Sequence, residues 1–308
     1  MKNIIFYWSS DNSTKSGEGI LANRFLCDLK KYKKLQVTKV SNNYKYQNIT
    51  VKNYIYPFIG IFKLWIKYLK GYKICYINYL PLWNFLIFFL LPSKVILGPI
   101  TGTISSERNF LFKSIFERIS IFIIKIKFDK CLFANNFYSN LFKDHFHNYI
   151  IKNLKFSKIK KKNKVYDFIF YYRKKYDNKL SLFNLIKYLN QKKYKIVVIG
   201  EKIKLKNITC LGSIGKKKLN NILSKTKCAI ANKENLYSYF TQDCLSQNLY
   251  IFYNHEFTKL EKFKFNNFYA IPYANISKAY KIIYKMKNMP IKANKNIKQD
   301  FSNYFKDV

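Results

Sequence analysis

The sequence predicts a two-domain α/β protein, each domain built on a doubly wound parallel sheet. Three observations carry this. The chain has 308 residues, the length of two domains of roughly 150 residues each. In both halves, short apolar runs alternate with stretches of helical periodicity. A polar, basic segment, KFSKIKKKNK at 155–164, lies between the halves and reads as a linker. The expected domains are therefore 1–154 and 165–290, with a polar tail at 291–308 that carries a short amphipathic stretch at 297–305.

NIIFYW at 3–8 is a buried strand followed by turn-forming residues. The loop SSDNSTKSGEG after it is rich in Ser, Asn, Asp and Gly and must be irregular. Apolar residues then recur at Ile20, Leu21, Phe25, Leu26 and Leu29, a helical period. Strand, loop and helix in that order open a parallel α/β domain. KICYINYL (73–80), residues 94–97 and DKCLFAN (129–135) read as the next strands, with helical patterns at 59–69, 83–91 and 110–124. After the linker, DFIFYY (167–172), YKIVVIG (194–200), NITCLGSIG (207–215), CAIAN (228–232) and LYIFYN (249–254) are strands. Helices at 180–189, 217–226 and 240–247 separate them. Such alternation fits a parallel sheet covered on both faces.

Hydrophobic residues make up 49% of the chain, enough for a core in each domain, which excludes global disorder. The net charge is +41, yet only four of the 57 bases are arginines: Arg24, Arg108, Arg118 and Arg173. Lys, Asn, Ile, Phe and Tyr abound while Gly and Pro are scarce, the pattern of AT-rich codon choice. The lysines are spread along the whole chain, so the charge reads as compositional drift and no specific nucleic acid is expected. It still favours anionic partners such as sugar nucleotides, lipid phosphates and anionic membranes. Six cysteines without CxxC spacing indicate a reducing, cytoplasmic setting with neither disulfides nor zinc. MKNIIFYWSS starts a strand and lacks the features of a signal peptide. LPLWNFLIFFLLP (80–92) is too short to span a membrane.

Ligands of open parallel sheets bind beyond the carboxyl ends of the strands, so four loops are candidates. Gly17 and Gly19 flank Glu18 before the first helix, where free amides meet an anion. Gly98, Thr101 and Gly102 follow a strand in GPITG. Arg173 directly follows DFIFYY, with Lys179 shortly after. A guanidinium grips phosphate oxygens in pairs, which lysine cannot do, and codon drift has left few arginines. The fourth loop, KENLYSYFTQD at 233–243, enters a helix with acidic or amide groups at both ends and amides between them. Each loop also has a plainer reading, as a glycine turn, a solvated charge run or an ordinary helix cap.

In order and spacing these loops resemble those of GT-B glycosyltransferases, and the chain is similar to the large retaining family 4. FIFYYRKKYDNKLSLFNLI resembles the family segment whose arginine and following lysine neutralise the donor diphosphate; Arg173 and Lys179 take those positions. IVVIGE matches the next strand, ending at Gly200, and Leu211 and Gly212 match the strand end near the nucleobase. Asp243 fits the second acid of the family's paired glutamates, which holds the donor ribose. The position of the first acid falls on Asn235, with Glu234 one residue early, so either an amide or a shifted loop serves there. Ser238 and Tyr239 offer amides to the diphosphate, and the family's glycines in this loop are replaced by Leu236 and Ser238.

The resemblance implies two Rossmann-like domains facing across a cleft. Gly17 and Gly19 would face the donor, and Gly98, Thr101 and Gly102 the acceptor. It implies transfer of a sugar from a nucleotide sugar to a saccharide or lipid-linked acceptor, with retention, in cell-envelope polysaccharide or lipopolysaccharide assembly. No Asp-x-Asp pair occurs, so no obligatory metal or other cofactor is expected. His145, His147 and His255 read as solvated or structural. Two alternatives stay open: an inactive GT-B-like assembly or binding protein, and a basic nucleic-acid-binding protein. Trp65, Lys67, Tyr68, Lys70, Tyr72 and Lys73, following an apolar stretch, suit either an anionic bilayer surface or an ordinary core helix.

Overall fold

The computed structural model describes residues 4–12, 16–33, 36–40, 51–77, 80–100, 110–128, 130–134, 146–149, 153–157, 164–177, 179–233, 235–260, 263–299, 301 and 304–305. The chain divides into two compact units: Met1–Ile150 with Asp300–Val308, and Ile151–Gln299.

The first unit contains β1 (Ile4–Ser9), α1 (Gly17–Lys33), β2 (Gln36–Lys39), α2 (Val51–Leu69), β3 (Lys73–Ile77), α3 (Phe85–Leu90), β4 (Ile96–Leu97), α4 (Phe110–Lys127), β5 (Cys131–Phe133) and β6 (Phe146–Asn148). Its sheet runs β2-β1-β3-β4, all parallel. A parallel bridge between Ile100 and Phe133 leads on to the parallel pair β5-β6. The order reverses at β1, so this is a doubly wound sheet. Apolar runs form its strands because both faces are covered: Ile5, Trp8, Ile74 and Tyr76 are all buried. The Trp8 indole stacks on Tyr76 with centroids 5.0 Å apart. A Cβ on Gly60 would fall 2.3 Å from that indole, so the missing side chain lets α2 seat against β1.

The end of the chain differs from the polar tail expected at 291–308. Ile297–Lys298 forms β14 and pairs antiparallel with β7 (Asn153–Leu154) in the second unit. Beyond it, Phe301, Tyr304 and Phe305 are buried in the first unit. Phe305 packs on Phe25 at 5.6 Å and Phe301 on Tyr149 at 5.2 Å, while the Tyr304 hydroxyl donates to the Leu97 carbonyl at 3.0 Å. Three aromatic rings in a polar segment are reason enough for it to bury.

The second unit continues with β8 (Tyr166–Tyr172), α5 (Ser181–Gln191), β9 (Ile196–Gly200), β10 (Ile208–Gly212), α6 (Lys216–Ser224), β11 (Thr226–Ile230), α7 (Tyr239–Ser246), β12 (Tyr250–Asn254), β13 (Phe268–Ile271) and α8 (Ile276–Met286). The sheet order is β10-β9-β8-β11-β12-β13, every pair parallel. From β8 the chain winds outward through β9 and β10, then returns to β11 on the other side and winds out again. The switch point therefore lies between the carboxyl ends of β8 and β11. Residues 158–163, within the expected linker, lie outside the described residues. Ser157 before them is tied to this unit, its amide donating to the Ser246 carbonyl at 2.8 Å.

Candidate functional site

The loops after β8 and β11 flank the switch point of the second unit. β8 ends at Tyr172, and Arg173 continues it in extended conformation (φ −141°, ψ 112°). A tight turn at Lys174–Tyr176 follows, held by the Tyr176 amide on the Arg173 carbonyl at 3.0 Å. The Arg173 guanidinium carbon lies 5.0 Å from the centroid of the Tyr176 ring, a cation–π contact that fixes its direction. Lys179 is exposed in the same loop, and Asn178 lies outside the described residues.

Between Arg173 and Lys179 sits Asp177, which is 1% exposed. Its Oδ1 accepts from the Leu182 amide at 3.0 Å and the Ser181 hydroxyl at 3.2 Å, and its Oδ2 from the Phe183 amide at 2.9 Å. Asp177 thereby caps α5, whose first free amides are taken by this carboxylate. An incoming phosphate cannot also use them. The Lys233 ammonium, from the loop after β11, donates to the Ser181 hydroxyl at 3.2 Å and joins the two loops.

The loop after β11 is organised by its own polar side chains. Asn232 is buried and its Oδ1 accepts from the Asn235 amide at 3.5 Å. Asn235 Oδ1 in turn accepts from the Tyr237 amide at 3.0 Å, an Asx turn. Ser238 then caps α7, accepting from the Thr241 amide at 3.2 Å. Tyr239 is the first residue of α7, half-buried, and Gln242 holds the Tyr237 carbonyl at 2.9 Å. Glu234 lies outside the described residues.

Asp243, on the first turns of α7, pairs with the Lys216 ammonium at 3.1 Å at the start of α6. Gly200 lies at the end of β9, in register with Tyr172. Its φ is +98°, and a Cβ there would stand 2.4 Å from the Tyr172 carbonyl oxygen, so only glycine fits. Leu211 and Gly212 end β10 two strands away from the switch point. The Tyr172 phenol, buried at the strand end, is shifted up by burial and further by the charges of Asp177 and Glu201.

In the first unit, Gly17 opens α1 in exposed, open space, and Gly19 is buried. The Gly19 amide donates to Ser16 Oγ at 2.9 Å, and Ser16 donates to the Asp11 carboxylate. A serine cap and a carboxylate therefore already serve this helix start. Gly98 is buried, its amide on the Tyr76 carbonyl at 2.8 Å, and a Cβ would meet Ile77 at 3.1 Å. Thr101, Gly102 and His145 lie outside the described residues, and His255 is exposed after β12.

The fold thus gathers Arg173, Lys179, Lys233, Asn235, Ser238 and Tyr239 into the two loops beside one switch point. It sets Leu211 and Gly212 at the end of β10, with β9 between them and β8, and Asp243 against α6. Sequence reading passed over Asp177 and the contacts of Lys233 and Lys216. The cluster DNKLS before an apolar run was the available signal for Asp177, since Asp and Ser at a helix entry mark a cap. Chemically, guanidinium and ammonium groups and helix-start amides are the kinds of group that can bind an anion.

No protein-family model matches the chain. No curated protein matches it by sequence. Solved structures do resemble it. Sucrose-phosphate synthase from Thermosynechococcus elongatus superposes with a TM-score of 0.60 at 10% identity, over 92% of this chain and 90% of that one. UDP-GlcNAc 2-epimerase from Methanocaldococcus jannaschii, solved with UDP-GlcNAc and UDP, gives 0.52 at 11%, over 95% and 94%. A glycosyltransferase from Rickettsia africae ESF-5 gives 0.51 at 11%, over 92% and 88%. At such identities the likeness is one of fold. The chain has the α/β fold of the GT-B class, with two doubly wound parallel sheets.

Proposed function

We propose that the chain is a GT-B glycosyltransferase that moves a sugar from a nucleotide-sugar donor to a saccharide or lipid-linked acceptor. The observation that carries this is the placement of Arg173 and the Lys233–Ser238 loop on either side of the switch point in the second sheet. As the bond from sugar to diphosphate breaks, negative charge grows on the leaving group. Arg173, Lys179 and the amides at Ser238 and Tyr239 would stabilise it with groups already held in place. Lys233 joins them in this reading. Leu211 and Gly212 would flank the nucleobase, Gly200 would keep the mouth of β9 free of a side chain, and Asp243 would exchange Lys216 for the ribose hydroxyls.

Glu234 or Asn235 would meet the sugar. Asn235 Oδ1 already shapes the loop, so its free contribution is the amide nitrogen. Gly17 and Gly19 remain candidates for the donor, and Gly98, Thr101 and Gly102 for the acceptor. The cationic set without an Asp-x-Asp pair favours metal-independent transfer, and the likeness of the segments to family 4 favours retention and a role in cell-envelope polysaccharide or lipopolysaccharide assembly. Six free cysteines, none in a disulfide, favour a cytoplasmic site of action.

A thermal-shift screen against UDP, GDP, ADP and their sugars tests the reading. A nucleotide at about one hundred times its Kd should stabilise the protein by about 2.7 kcal/mol. Arg173→Ala should remove the shift without lowering the ligand-free melting point. A wild-type protein that responds to none of the nucleotides would sink the proposal.

A further inference from the structure

The first unit turns an apolar face outward where α2, α3 and α4 pack in sequence. On α2, Ile55, Ile59, Phe62, Ile66 and Leu69 recur every three or four residues and are all exposed. On α4, Ile115, Ile119, Phe122 and Ile126 repeat the pattern. Phe89 and Leu90 of α3 are also exposed. The exposures are large: Phe62 67%, Leu69 77%, Phe122 66% and Ile126 71%. These are not edges of the core, because each helix has a separate buried side, with Ile61 and Leu64 on α2 and Ile124 on α4. A helix apolar on both sides is ordinarily covered on both.

The face is one surface. The Trp65 indole donates to the Leu90 carbonyl at 2.8 Å, joining α2 to α3. The Lys127 ammonium donates to the carbonyls of Phe88 and Phe89 at 3.3 and 2.5 Å, joining α4 to the other flank. The Phe85 and Phe116 rings meet at 5.4 Å.

Charge decides what covers it. Around the face Lys70, Lys94, Arg118 and Lys125 are exposed, while the three helices carry a single acid, Glu117. Two copies meeting through this face would set those bases against each other. An anionic bilayer satisfies both features, since acyl chains take the apolar stripes and headgroups take the lysines. Trp65 and Tyr68, packed edge-on at 5.4 Å, have the amphipathic rings suited to the headgroup level. Among the described residues no helix is long and apolar enough to cross a membrane, so the face lies on the surface.

We propose that this three-helix face docks the first unit on an anionic lipid bilayer, with Phe62, Leu69, Phe122 and Ile126 entering the acyl boundary and Lys70, Lys94 and Lys125 meeting headgroup phosphates. This differs from a single amphipathic helix at 65–73. Lys67 and Tyr72 pack instead on Phe6, at 4.6 and 4.9 Å. The proposal shares no residue with the donor site and stands or falls apart from it.

The test is flotation of the full chain with vesicles of phosphatidylcholine, alone or with 30% phosphatidylglycerol by composition (roughly the charge of an anionic leaflet). Wild type should bind the anionic vesicles, more weakly but still measurably in high salt. The variant Phe62→Ser/Leu69→Ser/Phe122→Ser/Ile126→Ser keeps every charge and replaces only exposed side chains. Its partition should fall at least about tenfold, since the apolar insertion is lost while the electrostatic part remains. Circular dichroism melts establish that the variant is folded. A second variant, Phe62→Ser/Phe122→Ser, should fall between the two. Equal binding of wild type and the fourfold variant would overturn the proposal, leaving only diffuse charge. So would a wild-type dimer that the fourfold variant dissociates, without any loss of vesicle binding.

Discussion

Replacing Asp177 tests how the candidate site is built. Asp177 is almost fully buried and accepts three hydrogen bonds at the start of α5, from two backbone amides and the Ser181 hydroxyl. Hydrogen bonds to a charged group contribute about 1.5–3 kcal/mol each, and a helix cap typically about 1 kcal/mol. They do not add fully, and removing the carboxylate also relieves the cost of burying it. Asp177→Ala should therefore destabilise the second unit by about 2–4 kcal/mol. For a unit of this size that lowers the melting temperature by about 6–12 °C at 3 kcal/mol. Asp177→Asn keeps one accepting oxygen and should recover about half of the loss. Urea unfolding followed by far-ultraviolet circular dichroism, with melting curves beside it, gives both numbers. A loss below about 1 kcal/mol for Asp177→Ala, or an Asn variant no better than Ala, would refute the capping role. The alanine variant also frees the α5 amides, so tighter nucleotide binding by it would show that these amides can receive phosphate.

Gly200→Ala forces a Cβ to 2.4 Å from the Tyr172 carbonyl at φ +98°. It should lower stability by at least about 2 kcal/mol and loosen the β8–β9 pairing, seen as faster amide exchange in both strands. Thiol labelling of the native protein should modify Cys27 first and Cys210 more slowly. Cys75, Cys131, Cys228 and Cys244 are buried and should react only on unfolding. Burial pushes the Cys131 and Cys228 thiols up to about 12. Tyr273 and Tyr304 are buried phenols whose pKa is raised well above 10 by burial. Their unfolded forms ionise near pH ~10 while the folded forms hold their protons. The stabilisation is fully present below pH ~10 and is lost above it, by up to about 1.4 kcal/mol per pH unit for each tyrosine. Denaturation at pH 9 and pH 11 should show this loss, and Tyr304→Phe should flatten it for the first unit.

Much of the fold was legible because apolar runs in a doubly covered sheet are hard to mistake. DFIFYY, IVVIG, CAIAN and LYIFYN fall on β8, β9, β11 and β12 to within two residues. β2 escaped because QVTK has a single large apolar residue and takes its place from pairing with β1. The sequence places the second helix at 59–69, yet α2 begins at Val51 and carries Pro57 inside it. β13 has only four residues after a mixed polar segment, so its period is hard to isolate, whereas α8 carries a clear helical period, with Ile276, Ala279, Tyr280 and Ile283 at helical spacing, that sequence reading passed over. At the site, Arg173 stood out by its rarity, and the fold sets it directly after β8, beside the switch point. Asp177 did not stand out, because a carboxylate within a lysine run looks solvated until its amide partners are known. The pairing of Asp243 with Lys216 joins residues 27 positions apart and leaves no local trace.

The return of Phe301, Tyr304 and Phe305 to the first unit has a consequence for synthesis. Of the two units, the one that emerges earlier from the ribosome is completed later, because its Phe25 and Tyr149 wait for aromatic partners that follow the whole second unit in the sequence. All of Ile151–Gln299 must emerge in the meantime. At about 5–20 residues per second that interval lasts about 8–30 s. Throughout it the nascent chain carries an unfilled aromatic socket, and shielding by chaperones should matter most in those seconds.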